Sequence, residues 1–325
     1  MNSQHTLEKW LTEQCKLACY DINALPGDAS FRRYFRITES NRSFIAMDAS
    51  VEKQSCVPFV AIGRALREQG LSAPDIIASE MDQGFLLLTD FGDQTYLKEL
   101  TLQNANSLYH SVLDALTVMQ TCRQIDGWAL KPFTADFMRN ELNTFKEWFF
   151  EKHLELTLSA KTETLLSDCF TFLAETAANQ PQVFMHRDYH SANLMVLPDA
   201  RVGILDFQDA FIGPVTYDLV SLLRDCYIDW PPALVEELVL YYWKNLSLPN
   251  VTAEEFLRWF DLMGLQRHLK CLLTFSRKYR RDNNAGYLQF IPRTLNYILT
   301  VTERYPECAG LHSFLTEKVL EKCVE

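Results

Sequence analysis

Residues 183–207 read VFMHRDYHSANLMVLPDARVGILDF, and this segment limits the chain more than any other. Two short apolar runs, 194–197 and 202–205, flank Pro198-Asp199-Ala200, the composition of a tight turn between antiparallel strands. Such a hairpin carries Asn193 at its entrance and Asp206 at its exit, so it brings an amide oxygen and a carboxylate oxygen together. Those are hard donors of the kind magnesium takes. A second carboxylate, Asp188, precedes them within His186-Arg187-Asp188. One rival reading stays open. His186, Asp188 and His190 alternate, so on an extended strand they would share a face and offer a transition-metal site. That arrangement leaves Asn193 and Asp206 without roles. The blander alternative is a solvated polar loop.

The remaining chain divides in character. Up to residue 91 it reads mainly as strands: 31–38 and 43–47 around a polar turn, then 76–78 and 85–88, with one helix over 58–69. Beyond Gly92, apolar residues recur at helical spacing over 101–123, 135–156, 162–178, 234–245, 253–280 and 291–304. The expected organisation is therefore a small strand-rich domain, 1–91, followed by a larger helical domain, 92–325. An amphipathic helix is expected over 1–20.

Composition removes several function classes. The net charge of −11 argues against general nucleic-acid binding, which needs a basic surface. No apolar run approaches the ~18 residues of a membrane span, so no membrane partner is expected. The nine cysteines are scattered and form no C-x-x-C pair, which suggests reduced, buried thiols and a cytoplasmic location.

The spacing His186-Arg187-Asp188, four residues, Asn193, and then Asp206-Phe207 at a strand end resembles protein-kinase-like phosphotransferases. More closely, the chain resembles the aminoglycoside/choline-type phosphotransferase family. Within that family it is most similar to the anomeric kinases of N-acetylmuramate and N-acetylglucosamine in peptidoglycan recycling. The likeness is carried by GDASFRRYFR from Gly27, FLLLTDFGDQTYL from Phe85 and EWFFEKH from Glu147. It continues in HRDYHSANLM from His186, ILDFQDAFIGPVTYDLVSLLRDCYIDW from Ile204 and GLQRHLKCL from Gly264.

The resemblance implies an α+β, two-lobed kinase-like fold with a small antiparallel-sheet N-lobe and a larger, mostly helical C-lobe. It implies ATP and Mg2+ as cofactors, an amino-sugar acceptor, and a chain that works as a monomer. Asp188 becomes the catalytic base, with Asn193 and Asp206 as the magnesium ligands. Gly27, Asp28, Ala29 and Ser30 become the loop over the phosphates. Thr89, Asp90 and Phe91 become the hinge that holds adenine. His186 anchors the catalytic loop and Asp218 braces it. His190, Gln208 and Arg187 fall on the acceptor side, while Arg224, Arg267 and Arg277 are further, unranked candidates for an acceptor carboxylate.

One feature departs from the wider kinase pattern. Met47 stands where the phosphate-binding lysine is expected, and the helix over 58–69 has only Glu68, at its far end, as a partner. Arg33 is assigned to the nucleotide side as a substitute. The pair Arg32 and Arg36, which a strand would turn to the opposite face, is the alternative. Two rivals remain: another acceptor for the same chemistry, such as an aminoglycoside, or a nucleotide-binding pseudokinase scaffold, motivated by the absent lysine.

Overall fold

The computed structural model describes residues 3–26, 31–198 and 201–324. The chain divides into two compact units. One takes the chain up to Glu99 together with Gln124–Leu130 and Ala192–Ala210. The other takes Leu100–Arg123, Lys131–Ser191 and the chain from Phe211 onward.

The first unit is built on a five-stranded antiparallel sheet. Its strands are β1 Asp21–Ala24, β2 Arg33–Glu39, β3 Arg42–Asp48, β4 Ile76–Glu80 and β5 Phe85–Thr89, in the order β1-β2-β3-β5-β4. Strands β2 and β3 pair from Glu39↔Arg42 through Arg36↔Ile45 to Arg33↔Asp48. The period of two then sorts the side chains. Phe35, Ile37, Ala46 and Leu87 bury against Leu7, Trp10 and Leu11 of the helix Ser3–Glu13. Tyr34, Arg36 and Ile45 take the other face. Each large apolar side chain buried this way contributes roughly 1.5–3 kcal/mol.

The N-terminal helix is shorter than the 1–20 expected. It stops because Lys16 is left-handed (φ 59°) and Leu17 N–H reaches back to Leu11 O at 3.1 Å. That bond and the left-handed residue close the helix end, and the chain then turns into β1. The strand β1 is short and exposed, with no apolar alternation to announce it.

The helical unit is organised around the thirty-residue helix Ala253–Asp282. The Thr252 hydroxyl caps its start by accepting from Glu255 N–H at 3.1 Å, and left-handed Asn283 (φ 53°) ends it. The helix Ala135–Phe145 runs into wider π-type turns over Lys146–His153, where one α-helix to 156 was expected. The widening lets consecutive residues, Phe149 and Phe150, both bury in one core with Phe145, Leu269 and Leu272. A small sheet of Lys131–Pro132, Gln182–Met185 and Phe211–Pro214 completes the unit. All nine cysteines are free thiols. Among the described residues, no helix is long and apolar enough to cross a membrane.

Candidate active site

The chemistry-bearing segment is shared between the two units, and each builds its own half from local constraints. In the sheet-bearing unit the expected hairpin forms, with Leu194–Val196 paired to Val202–Ile204 in the register Leu194↔Ile204. Leu205 N–H donates to Asn193 O at 3.0 Å, closing the hairpin's open end. Asn193 and Asp206 thereby line one cavity of about 320 Å³. The hairpin is fixed to this unit by Val196 N–H to Gln94 O and Ile204 N–H to Ser72 O, both 2.8 Å. A Cβ at Gly203 would stand 2.8 Å from the Phe91 ring, so only glycine fits there.

Asp206 has a left-handed backbone, φ 60°, which an aspartate tolerates better than most residues. The turn sends Phe207 onto Phe59, with ring centroids 4.9 Å apart, while the Asp206 carboxylate lines the cavity. Gln208 Nε2 donates to that carboxylate at 2.8 Å, and Gln208 Oε1 is buried without a partner. The structure thus sets Gln208 beside Asp206.

The hinge segment lines the same cavity. Arg36 holds it by donating to both Asp90 oxygens (2.7 and 3.1 Å), to Asp93 (2.9 Å) and to Gly92 O (3.1 Å). Ser43 Oγ and Gly92 N–H add hydrogen bonds to Asp90. Burial works to raise the Asp90 carboxyl, but these contacts outweigh it and hold the group below its ordinary value. The Asp90 side chain is therefore consumed in shaping the turn.

The three arginines separate by strand parity. Arg32 and Arg36 line the cavity and Arg33 does not. Arg33 instead pairs with Asp48, its cross-strand partner, on the face that packs against the N-terminal helix. Arg32 Nη2 lies 4.0 Å from Asp206 and 3.5 Å from Asp209. Met47 is fully buried. Gly27, Asp28, Ala29 and Ser30 lie outside the described residues.

In the helical unit, Asp188 sits in a loop that follows the strand Gln182–Met185. Asp218, fully buried in the first turn of the helix Tyr217–Leu223, accepts His186 N–H at 2.6 Å and Arg187 N–H at 3.0 Å. Burial raises the Asp218 carboxyl to about 6 even against those contacts. The same bonds hold Arg187 at φ 78°, a conformation a non-glycine residue adopts only when its surroundings impose it. His186 is buried, and its Nδ1 lies 3.3 Å from Asp188 N–H. The loop is not a strand, so the alternation of His186, Asp188 and His190 does not gather them on one face. Among the described residues, no three His, Cys, Asp or Glu side chains converge as a metal site.

Asp188, His190, Arg267 and Lys270 line one concavity of the helical unit. Lys270 Nζ lies 3.9 Å from Asp188 Oδ1 and donates to Tyr217 Oη at 3.2 Å. The Asp188 side chain keeps 42% of its surface although protein surrounds it closely. Burial pushes its carboxyl up, but Lys270, His190, Arg267 and Arg187 together hold it well below the usual carboxylate range. It is ionised at neutral pH.

Two residues that matter here escaped sequence reasoning. Lys270 stands one helical turn after Arg267, a spacing that could have flagged a shared cationic face. Asp225 is buried and accepts from Ser191 N–H (3.1 Å), Ser191 Oγ (2.5 Å) and Tyr227 N–H (2.9 Å), fixing the far end of the loop that carries Asp188. Two expected acceptor arginines are engaged elsewhere. Arg187 donates to Glu141 at 3.0 Å and stacks on Phe211, and Arg224 donates to Asp261 at 2.6 Å.

The sheet-bearing unit presents an Asn/Asp oxygen pair and the helical unit presents a braced loop aspartate. The phosphotransferase enzyme family matches residues 21–259, and the chain belongs to that family. It is similar to the N-acetylmuramate/N-acetylglucosamine kinase of Pseudomonas aeruginosa, at 40% identity over 89% of this chain and 86% of that one. The enzyme of the same name from Neisseria meningitidis is 36% identical over 100% of this chain and 98% of its own. The fold is that of a choline kinase from Streptococcus pneumoniae, with TM-score 0.65 and 12% identity, covering 92% of this chain and 100% of that one.

Proposed function

We propose that this enzyme transfers the γ-phosphoryl group of ATP to the anomeric hydroxyl of N-acetylmuramate and N-acetylglucosamine. Likeness through nearly the whole chain to two kinases named for these sugars carries the choice of acceptor. The cavity of the sheet-bearing unit takes the nucleotide, with the backbone of Thr89, Asp90 and Phe91 beside the base. Asn193 and Asp206 would hold Mg2+: their donor atoms are hard oxygens, and the Asp206 side chain remains 45% exposed to a ligand. When bound, the ion neutralises charge on the phosphates.

Asp188 accepts the hydrogen bond of the acceptor hydroxyl and orients its oxygen for in-line attack. A new oxygen–phosphorus bond forms at the sugar while the bond to the β-phosphate oxygen breaks, and the proton passes to Asp188. A carboxylate held so firmly ionised is a weak base, so its proton is taken late and its main service is positioning. An anomeric hydroxyl, more acidic than an ordinary sugar alcohol, suits such a base. The test is ATP-dependent turnover on a panel of amino sugars and aminoglycosides, with NMR of the product. The expected product is the sugar 1-phosphate, and the alditol of N-acetylglucosamine, which lacks the anomeric hydroxyl, should not turn over. Equal activity on the alditol, or phosphate on C6, removes this reading.

Arg32 supplies the cation that Met47 cannot. It lines the nucleotide cavity beside Asp206, whereas Arg33 is spent on Asp48. Arg32→Ala should lower kcat/KM for ATP about 30-fold, the scale of a lost charge-assisted hydrogen bond. Arg33→Ala should lower the unfolding temperature, because buried Asp48 loses its counter-charge, yet leave kcat/KM within about twofold. Wild-type kinetics in Arg32→Ala, or a kinetic defect confined to Arg33→Ala, reverses the assignment.

A further inference from the structure

The acceptor side carries a buried cation that has no direct ion pair with any carboxylate among the described residues, although Asp188 and Asp225 line the same concavity. Arg267 retains only 5% of its surface and lines the concavity around Asp188. Its Nη1 donates to Cys271 Sγ at 3.4 Å, a weak and polarisable acceptor, and its Nε has no partner. Among the described residues, no Asp or Glu forms an ion pair with it. The other cations of the region differ in this respect. Arg187 has Glu141, Arg224 has Asp261 and Lys270 has Asp188.

A buried guanidinium with no carboxylate bonded to it directly is costly to the fold, and a ligand carboxylate would offset that cost. A second orphan points the same way. His190 Nδ1, on the same concavity, is also buried without a partner. A ligand bearing negative charge in this concavity would meet the cations of both Arg267 and Lys270.

We propose that Arg267 receives a carboxylate on the acceptor, so that this concavity is built for an acidic amino sugar and disfavours cationic acceptors. The inference rests on the function proposed above and names the substituent that the site reads. N-acetylmuramate differs from N-acetylglucosamine by a lactyl ether whose carboxylate is ionised at neutral pH. A planar guanidinium can hold it with two parallel hydrogen bonds. N-acetylglucosamine leaves that position to water, and so should be the poorer substrate. An aminoglycoside or choline-like amine would set a third cation beside Arg267 and Lys270.

The test compares N-acetylmuramate with its lactyl carboxamide, a neutral group of the same shape. In the wild-type enzyme the amide should have a kcat/KM at least about 30-fold below the acid. In Arg267→Met the acid-to-amide ratio should collapse to within about threefold, and Arg267→Lys should recover part of it. Thermal unfolding checks that each variant is folded; if Arg267→Met is not, the wild-type comparison still decides. Equal use of acid and amide by the wild type, or an undiminished ratio in a folded Arg267→Met, overturns the assignment of Arg267. Phosphorylation of neither sugar by the wild type overturns the proposed function together with it.

Discussion

Replacing Asp188 by asparagine should lower kcat by about 10² to 10⁴-fold, the usual contribution of a positioned proton acceptor. The substitution keeps the side-chain shape and its place in the loop, since the bonds that set the loop run through backbone N–H groups to Asp218 and Asp225. What it removes is the negative charge opposite Lys270, 3.9 Å away. KM for ATP should change little, because none of the cavity lining assigned to the nucleotide includes Asp188. The pH dependence follows from the same contacts. Asp188 is held below its ordinary value by its cationic neighbours, so it stays ionised as the pH falls towards the normal aspartate range near ~3.9. The stability that its ionised form contributes is present at neutral pH and is lost only when the pH falls through the depressed value. Any acid limb of kcat near pH 6 therefore belongs to another group; Asp218, raised to about 6 by burial, contacts the loop through His186 and Arg187 N–H. A near wild-type kcat in Asp188→Asn, measured where chemistry limits the rate, would falsify its role.

The fold was most readable where its determinants are local. The hairpin that joins Asn193 to Asp206 is announced by two apolar runs and a Pro-Asp-Ala turn, and its register follows from its length. The long helices show in their 3.6-residue periodicity, and cap residues such as Thr252 mark where they start. The strand β1 left no signal, because four mostly exposed residues have no buried face to enforce alternation. The π-type turns over Lys146–His153 were hidden for the opposite reason. The run of aromatic residues fits an α-helix by propensity, and only the shape of the surrounding core selects the wider turn.

The site separates in the same way. Which face Arg33 and Arg36 of β2 take follows from parity, whereas the partner of Arg33, Asp48, is set by pairing with β3 and is not legible from β2 alone. Lys270 meets Asp188, and Asp225 meets Ser191, across long stretches of chain that no local pattern encodes. Composition could not find them either: one lysine in a long helix reads like any other until the loop opposite it is in place.

Removing the carboxylate of Asp206 should abolish turnover while the fold survives. Its side chain is half exposed, and Arg32 keeps Asp209 at 3.5 Å when Asp206 is gone, so no buried charge is stranded. The choice of replacement matters, because the backbone is left-handed at this position. Alanine pays for that conformation with roughly 1–2 kcal/mol, whereas asparagine adopts it readily and retains one amide oxygen. Asp206→Asn therefore isolates the loss of charge, and Asp206→Ala adds the loss of the donor. A metal ion that stabilises transferring phosphate supplies several kcal/mol, so kcat should fall by about 10³-fold or more in both variants. Magnesium titration separates weak binding from a missing ligand: raising Mg2+ should not restore either variant to wild-type turnover. Thermal unfolding should place Asp206→Asn close to the wild type, with Asp206→Ala somewhat lower. Activity in Asp206→Asn within about tenfold of wild type at saturating Mg2+ would move the metal site away from the exit of the hairpin.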